Sequence, residues 1–372
     1  MNETTEKSTA TKSKHWILWL LGAVALVALV VFVSKKKQFD WVACGGELMR
    51  ADWRRFACGV GLIYAAYVLR AVRWSIFLKP VKRVSPLTIL GSQVIGFTGV
   101  ALFGRLADLV RPYLVARRLK MTLGSQIAVY TVERMFDAGA LALIFSLALA
   151  LAPDLKTLPH QEVMSKIAES SLVATIAMAA FAITARLAGG VLAGFARGTL
   201  GVLSTDVGEW AAERIRIFSG GLNTLASLRD FLFAAAISMT MWAMIVVAYL
   251  ETLWAFVGST QLSSMTLARC MIVMAFGMVG SIFQAPVVGW FTTIAASGTG
   301  LGLLGVPPEQ AAAAGAMLLV VTFLSIIPVG LIWSRFEHVS LKSVAVESEH
   351  VEEAILLGHT PIVEESTVPP SA

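Results

Sequence analysis

MTLGSQIAVYTVERMFDAGALALIFSLALALA, residues 121–152, is one long apolar stretch with Glu133, Arg134 and Asp137 inside it. A bilayer core of roughly 30 Å needs about 20 apolar residues in a helix, so the stretch has the length to span one. An ionised group near the bilayer centre costs roughly 2.5 to 3.5 kcal/mol even on a lenient insertion scale. Such groups usually face a bundle interior or a watery cavity, and they mark a path for something polar.

Further apolar runs lie on both sides, at residues 16–33, 56–78, 86–110, 171–187, 231–257, 265–304 and 311–333. The run at 265–304 is long enough for two crossings. Hydrophobic residues make up 57% of the 372 and charged ones only 15%, which excludes an ordinary soluble domain. The expected fold is therefore all-α: a polytopic membrane helix bundle of about eight spans, with one or two re-entrant or broken helices. Residues 15–335 form its membrane domain, between a disordered tail at 1–14 and a second, cytoplasmic one at 336–372.

Residues 16–33 end in Lys35, Lys36 and Lys37 and have no small-residue cleavage site, so they read as a retained helix and not a secretory signal. Two runs carry backbone breakers. Pro86 opens the third, and Gly91, Gly96, Gly99 and Gly104 interrupt it; Pro286, Gly289, Gly298, Gly300, Gly302 and Gly305 interrupt residues 265–304. Broken backbone at membrane depth is tolerated only beside protein or water. One such segment in each half of a chain points to a transporter's central site. Packing competes for the second segment, where Gly298 and Gly302 could seat a neighbouring helix.

Basic residues in short loops place residues 186–230 in the cytoplasm. Upstream the rule ties. Fifteen basic residues lie inside and eight outside if the third run is a re-entrant hairpin, and the same holds if it crosses fully with the N-terminus outside. The breakers favour the hairpin, which gives a multi-pass protein of the bacterial inner (plasma) membrane with both termini in the cytoplasm. In the cytoplasmic loop, Asp206 and Glu209 resemble a helix start, followed by Ile215, Phe218, Leu222 and Leu225 at helical spacing. That helix either lies flat on the inner leaflet or packs beneath the bundle.

The charged positions define the candidate site. Glu133 and Asp137 share a helix face, Arg134 is placed to pair with Asp137, and Tyr130 lies one turn before Arg134. Arg105, Asp108 and Arg111 recur every three residues and form one polar edge if that piece is helical. With Arg70 and Arg73, five arginines face three carboxylates, and the positive surplus suits a phosphate-bearing headgroup held by planar guanidinium forks. Duller readings stand beside these: Arg70 and Arg73 near the end of a run could snorkel, Arg111 could be a cytoplasmic anchor, and Glu133, Arg134 and Asp137 could be a structural knot.

Three of these stretches, Arg70-Ala-Val-Arg73-Trp74, then Gly104-Arg105-Leu-Ala-Asp108-Leu-Val-Arg111-Pro112, then Val132-Glu133-Arg134-Met-Phe-Asp137, resemble the transmembrane domain family of lysylphosphatidylglycerol synthases. That family includes the flippase half of bacterial multiple-peptide-resistance proteins and stand-alone membrane members. The likeness runs over residues 16–333, with the motifs in the family's order. Two departures stand out: Ala107-Asp108 replaces a usual Gly-Glu, and the later Pro-Gly-rich segment reads Gln284-Ala-Pro286-Val-Val-Gly289. Only 37 residues follow Arg335, too few for the aminoacyl transferase domain of the synthases. The resemblance therefore implies lipid translocation or an assisting role, without lipid lysylation.

Absences narrow the mechanism. There is no Gly-Lys pair and so no nucleotide-binding phosphate loop, and the five histidines, at positions 15, 160, 338, 350 and 359, all lie in tails or loops. Cys44, Cys58 and Cys270 have no metal-ligand spacing. A non-enzyme without cofactor or metal is expected, with membrane lipids as partners and no nucleic acid. The alternatives are a non-transporting membrane partner of a lipid-modifying enzyme or glycosyltransferase, and a secondary transporter of a small anion.

Overall fold

The computed structural model describes residues 39–104, 109–151, 161–202, 204–223, 227–281, 288–337 and 339. Among these there is no strand. The helices are α1 (Trp41–Arg50), α2 (Trp53–Leu78), α3 (Pro86–Phe103), α4 (Val110–Leu119), α5 (Leu123–Ala150), α6 (Gln161–Gly201), α7 (Thr205–Asn223) and α8 (Leu228–Trp254). After the single turn α9 (Thr260–Ser263) come α10 (Leu267–Gly280), α11 (Val288–Leu303), α12 (Pro308–Leu319), a π-helical turn (Val320–Leu324) and α13 (Ile326–Phe336).

Starts are set by local chemistry. Asp40 and Asp52 accept backbone N–H groups of Val42 and Arg54 at 2.8 and 3.0 Å, and Ser227 accepts that of Asp230 at 3.1 Å. Pro86 and Pro308 occupy the first turns of α3 and α12, where a missing N–H costs nothing.

The antiparallel pair α2 and α8 is the frame. Lys79 bonds Asp230 at 2.6 Å at one end, and Arg55 bonds Glu251 at 2.9 Å at the other. Among the described residues, four helices are long and apolar enough to cross a membrane: Trp53–Leu78, Pro86–Phe103, Leu228–Trp254 and Pro308–Phe336. α5, at 28 residues, also has the length but carries the three charges. Residues 16–33 lie outside the described residues, so the expected eight spans are not counted here.

The third run is one unbroken helix through Gly91, Gly96 and Gly99, and it stops at Gly104. Gly104 has φ 76° and ψ −157°, a region essentially confined to glycine. The chain then returns: a Cβ at Gly96 would collide with the Arg111 side chain, so only glycine lets α4 lie this close to α3. Lys82, just before α3, donates to the carbonyl of Leu119 at the end of α4 at 2.9 Å. α3 and α4 are a helical hairpin that starts and ends at one side of the bundle.

Residues 265–304 form a second hairpin. Thr292 Oγ1 of α11 donates to the Gly280 carbonyl of α10 at 2.9 Å; at the other end the indole of Trp254 donates to Met265 O at 2.9 Å, and Leu301 and Leu304 share a hydrophobic cluster with Met265 and Trp254. With 14 and 16 residues, or about 21 and 24 Å at 1.5 Å per residue, neither half matches the roughly 30 Å needed for a crossing. The first hairpin opens at the Lys79–Asp230 end, the second at the Arg55–Glu251 end, and Trp290 Nε1 at the tip of one donates to Ala101 O near the tip of the other at 3.1 Å.

The 41-residue α6 bends at Ala188. α7 packs on its distal part, with Arg197 bonding Glu209 at 2.8 Å and Gly208 against the backbone of Gly201. At the C-terminal side α13 runs through Phe336, and Glu337 accepts from Trp333 Nε1 at 3.0 Å and pairs with Arg118.

Candidate functional site

Two carboxylates on one face of α5 are held by arginines from two other helices. Glu133 accepts from Arg73 Nη2 at 2.9 Å and from Arg111 Nη1 at 3.0 Å. Asp137 pairs with Arg73 at 2.7 Å and with Arg70 at 3.3 Å, and it also accepts from the indole of Trp242 at 3.2 Å. All five charged groups are buried. Arg111 rests on the Phe97 ring at 4.3 Å and reaches Gln93 at 3.2 Å, while Arg73 also donates to Ser238 at 2.6 Å. A charge out of water is tolerable only when paired and hydrogen-bonded, and removing one partner strands the others. The cluster cross-braces α2, α3, α4, α5 and α8.

Beside this brace lies a partly open cavity of about 290 Å³. Its walls come from both hairpin tips, through Ala101, Gly104, Gly289 and Trp290, from α5 through Arg134, and from α8 through Trp242 and Tyr249. Thr322 and Phe323 of the π-helical turn complete it, and such turns recur at functional sites because they displace side chains from regular α register. Arg134 lies about 16 Å along α5 from its start and Trp242 about 21 Å along α8, so the cavity sits at mid-height of the bundle.

The candidate residues thus divide. Arg134 borders the cavity, with its side chain 43% exposed, 3.9 Å from Glu133 and 4.9 Å from the ring of Tyr130. Its expected pairing with Asp137 is not among the ion pairs, because Arg70, Arg73 and Trp242 already occupy that carboxylate. Tyr130 stands between Arg134 and Arg111. Arg70 and Arg73 turn inward instead of snorkelling, and Arg111 is fully buried, not a surface anchor. With Glu133 and Asp137 they underlie the cavity wall, which is the structural-knot arrangement for those two carboxylates. Arg105 and Asp108 lie outside the described residues.

Sequence reasoning missed Gln93, Ser238, Trp242, Tyr249 and Trp290. Gln93 and Ser238 are polar residues inside apolar runs and offered a signal; the aromatics, read as ordinary span residues, offered none.

A bundle that is helical throughout the described residues, with several apolar helices around a buried ion network, defines the class: a multi-pass integral membrane protein. The chain belongs to the family described as the lysylphosphatidylglycerol synthase TM region, whose model matches residues 19–330. No curated protein and no solved structure matches it.

Proposed function

We propose that this protein moves a polar lipid headgroup of the phospholipid type across the bilayer through the cavity between its hairpin tips, while the acyl chains stay in the surrounding lipid. The observation that carries this reading is the opposed approach of the two hairpins, which meet at mid-height beside Arg134. A cavity of about 290 Å³ is at the lower limit of ligand pockets, sized for a headgroup and not for a whole lipid. The process is displacement, with no bond made or broken, and with no nucleotide-binding phosphate loop in the sequence it runs downhill, with an ion gradient, or with a partner that supplies the energy.

The same hairpin supports the arrangement with a cytoplasmic N-terminus. Lys79, Lys82, Arg83, Arg117, Arg118 and Lys120 gather at one end, and that end faces the cytoplasm of a bacterial inner membrane. Phe336 ends α13 on that side, so the C-terminus is cytoplasmic too.

Reconstitution into liposomes with a fluorescent phospholipid and a membrane-impermeant quencher tests the proposal. Protein-containing vesicles should lose the protected half of the signal faster than empty ones; rates equal to those of empty vesicles for several headgroups would sink it.

A further inference from the structure

Resting on that proposed function, the cavity walls point to what is recognised. We infer that the site reads the phosphodiester anion common to phospholipids through Arg134 and discriminates little among the headgroup alcohols attached to it. Among the described lining residues Arg134 is the only charged side chain. Side-chain donors beside it are also bonded within the protein, the Tyr249 hydroxyl among them, which shares a hydrogen bond with Thr322. Trp242 Nε1 donates to Asp137 and Trp290 Nε1 to Ala101 O, at 3.2 and 3.1 Å. Thr293 donates to Gly289 O at 2.7 Å, Thr322 to Leu318 O at 2.6 Å and Ser281 to Met278 O at 2.7 Å.

What these side chains offer an occupant is therefore ring faces, methyl groups and spent hydroxyls. A site discriminates strongly when it holds polar groups that only the right ligand satisfies, because the wrong ligand then leaves them unpaired. Among these described side chains the wrong headgroup strands no donor. A guanidinium fork, by contrast, binds any phosphate oxygens bidentately, whatever the alcohol beyond them.

Two measurements on the full-length protein test the inference. Quenching of tryptophan fluorescence in detergent, with Trp242 and Trp290 in the cavity wall, would report binding of dihexanoyl phosphatidylglycerol, phosphatidylethanolamine and phosphatidylcholine. Their dissociation constants should agree within about threefold. Arg134→Gln should weaken all three together by about tenfold or more, the effect of losing a charge-assisted hydrogen bond, and Arg134→Lys should restore part of the loss. Discrimination beyond about tenfold among the three lipids would overturn the inference, as would an Arg134→Gln effect confined to one of them. Inorganic phosphate in the same assay separates a lipid site from a free-anion site, and binding as tight as the lipids' would overturn the lipid assignment. The second measurement, transport of the three labelled lipids in vesicles, bears on the proposed function: even binding without transport would leave the recognition intact and remove the translocation.

Discussion

Trp290 donates its indole N–H to the carbonyl of Ala101 at 3.1 Å, and that one bond joins the tips of two hairpins that approach from opposite ends. Ala101 lies in the last turn of α3, where helix carbonyls commonly take partners from outside the helix. A broken helix leaves carbonyls without partners, and here a side chain from the other hairpin supplies one. The contact is part of the cavity wall, so separating the tips means giving it up.

Trp290→Phe keeps the ring and removes the donor. The bond's net worth of about 1 kcal/mol corresponds to a shift of roughly fivefold between joined and parted tips. Lipid transfer in vesicles is expected to change by about that factor, with little loss of thermal stability. An unchanged rate would mean that the tips do not separate during transport.

Glu133→Gln removes the charge that Arg73 and Arg111 share. Breaking a buried pair typically costs about 3–5 kcal/mol, so the variant should unfold in detergent at a clearly lower temperature. Arg134→Gln, half exposed and at the edge of the network, should leave the unfolding temperature nearly unchanged. Equal losses for both would contradict the division between brace and cavity.

Gly96→Ala places a methyl group against the side chain and Cα of Arg111. Overpacking of this kind costs about 1–3 kcal/mol. The unfolding temperature should fall while Gly302→Ala, with nothing within 4 Å of the added carbon, leaves it in place.

Much of the site was legible because it obeys local periodicity. Glu133 and Asp137 lie four residues apart and do share the buried face, and Arg70 and Arg73, one turn apart, meet them. The helix breakers marked both hairpins, yet three of the four glycines in α3 serve close packing or lie inside the helix, and only Gly104 turns the chain. Spacing along one helix says nothing of arginines arriving from another, and Arg70 and Arg73 of α2 are the ones that pair with Asp137. Trp242 and Trp290 were illegible for the same reason: their roles come from a carboxylate and a carbonyl 105 and 189 residues away.

The orientation is open to labelling. Val81, 71% exposed, and Val257, 60% exposed, lie at opposite ends of the bundle. In a background with Cys44, Cys58 and Cys270 replaced by alanine, an impermeant maleimide should reach Val257→Cys in intact cells and reach Val81→Cys only after the cells are opened. The reverse pattern would invert the assigned sidedness.

The most direct test of the central claim is to tie the tips together. With Ala101→Cys and Trp290→Cys in the same cysteine-free protein, a short reducible bis-thiosulfonate cross-linker should lower lipid transfer in vesicles to the rate of protein-free membranes, and reductant should restore it. Cross-linked protein that keeps moving lipid at its uncross-linked rate would place the path somewhere other than between the hairpins.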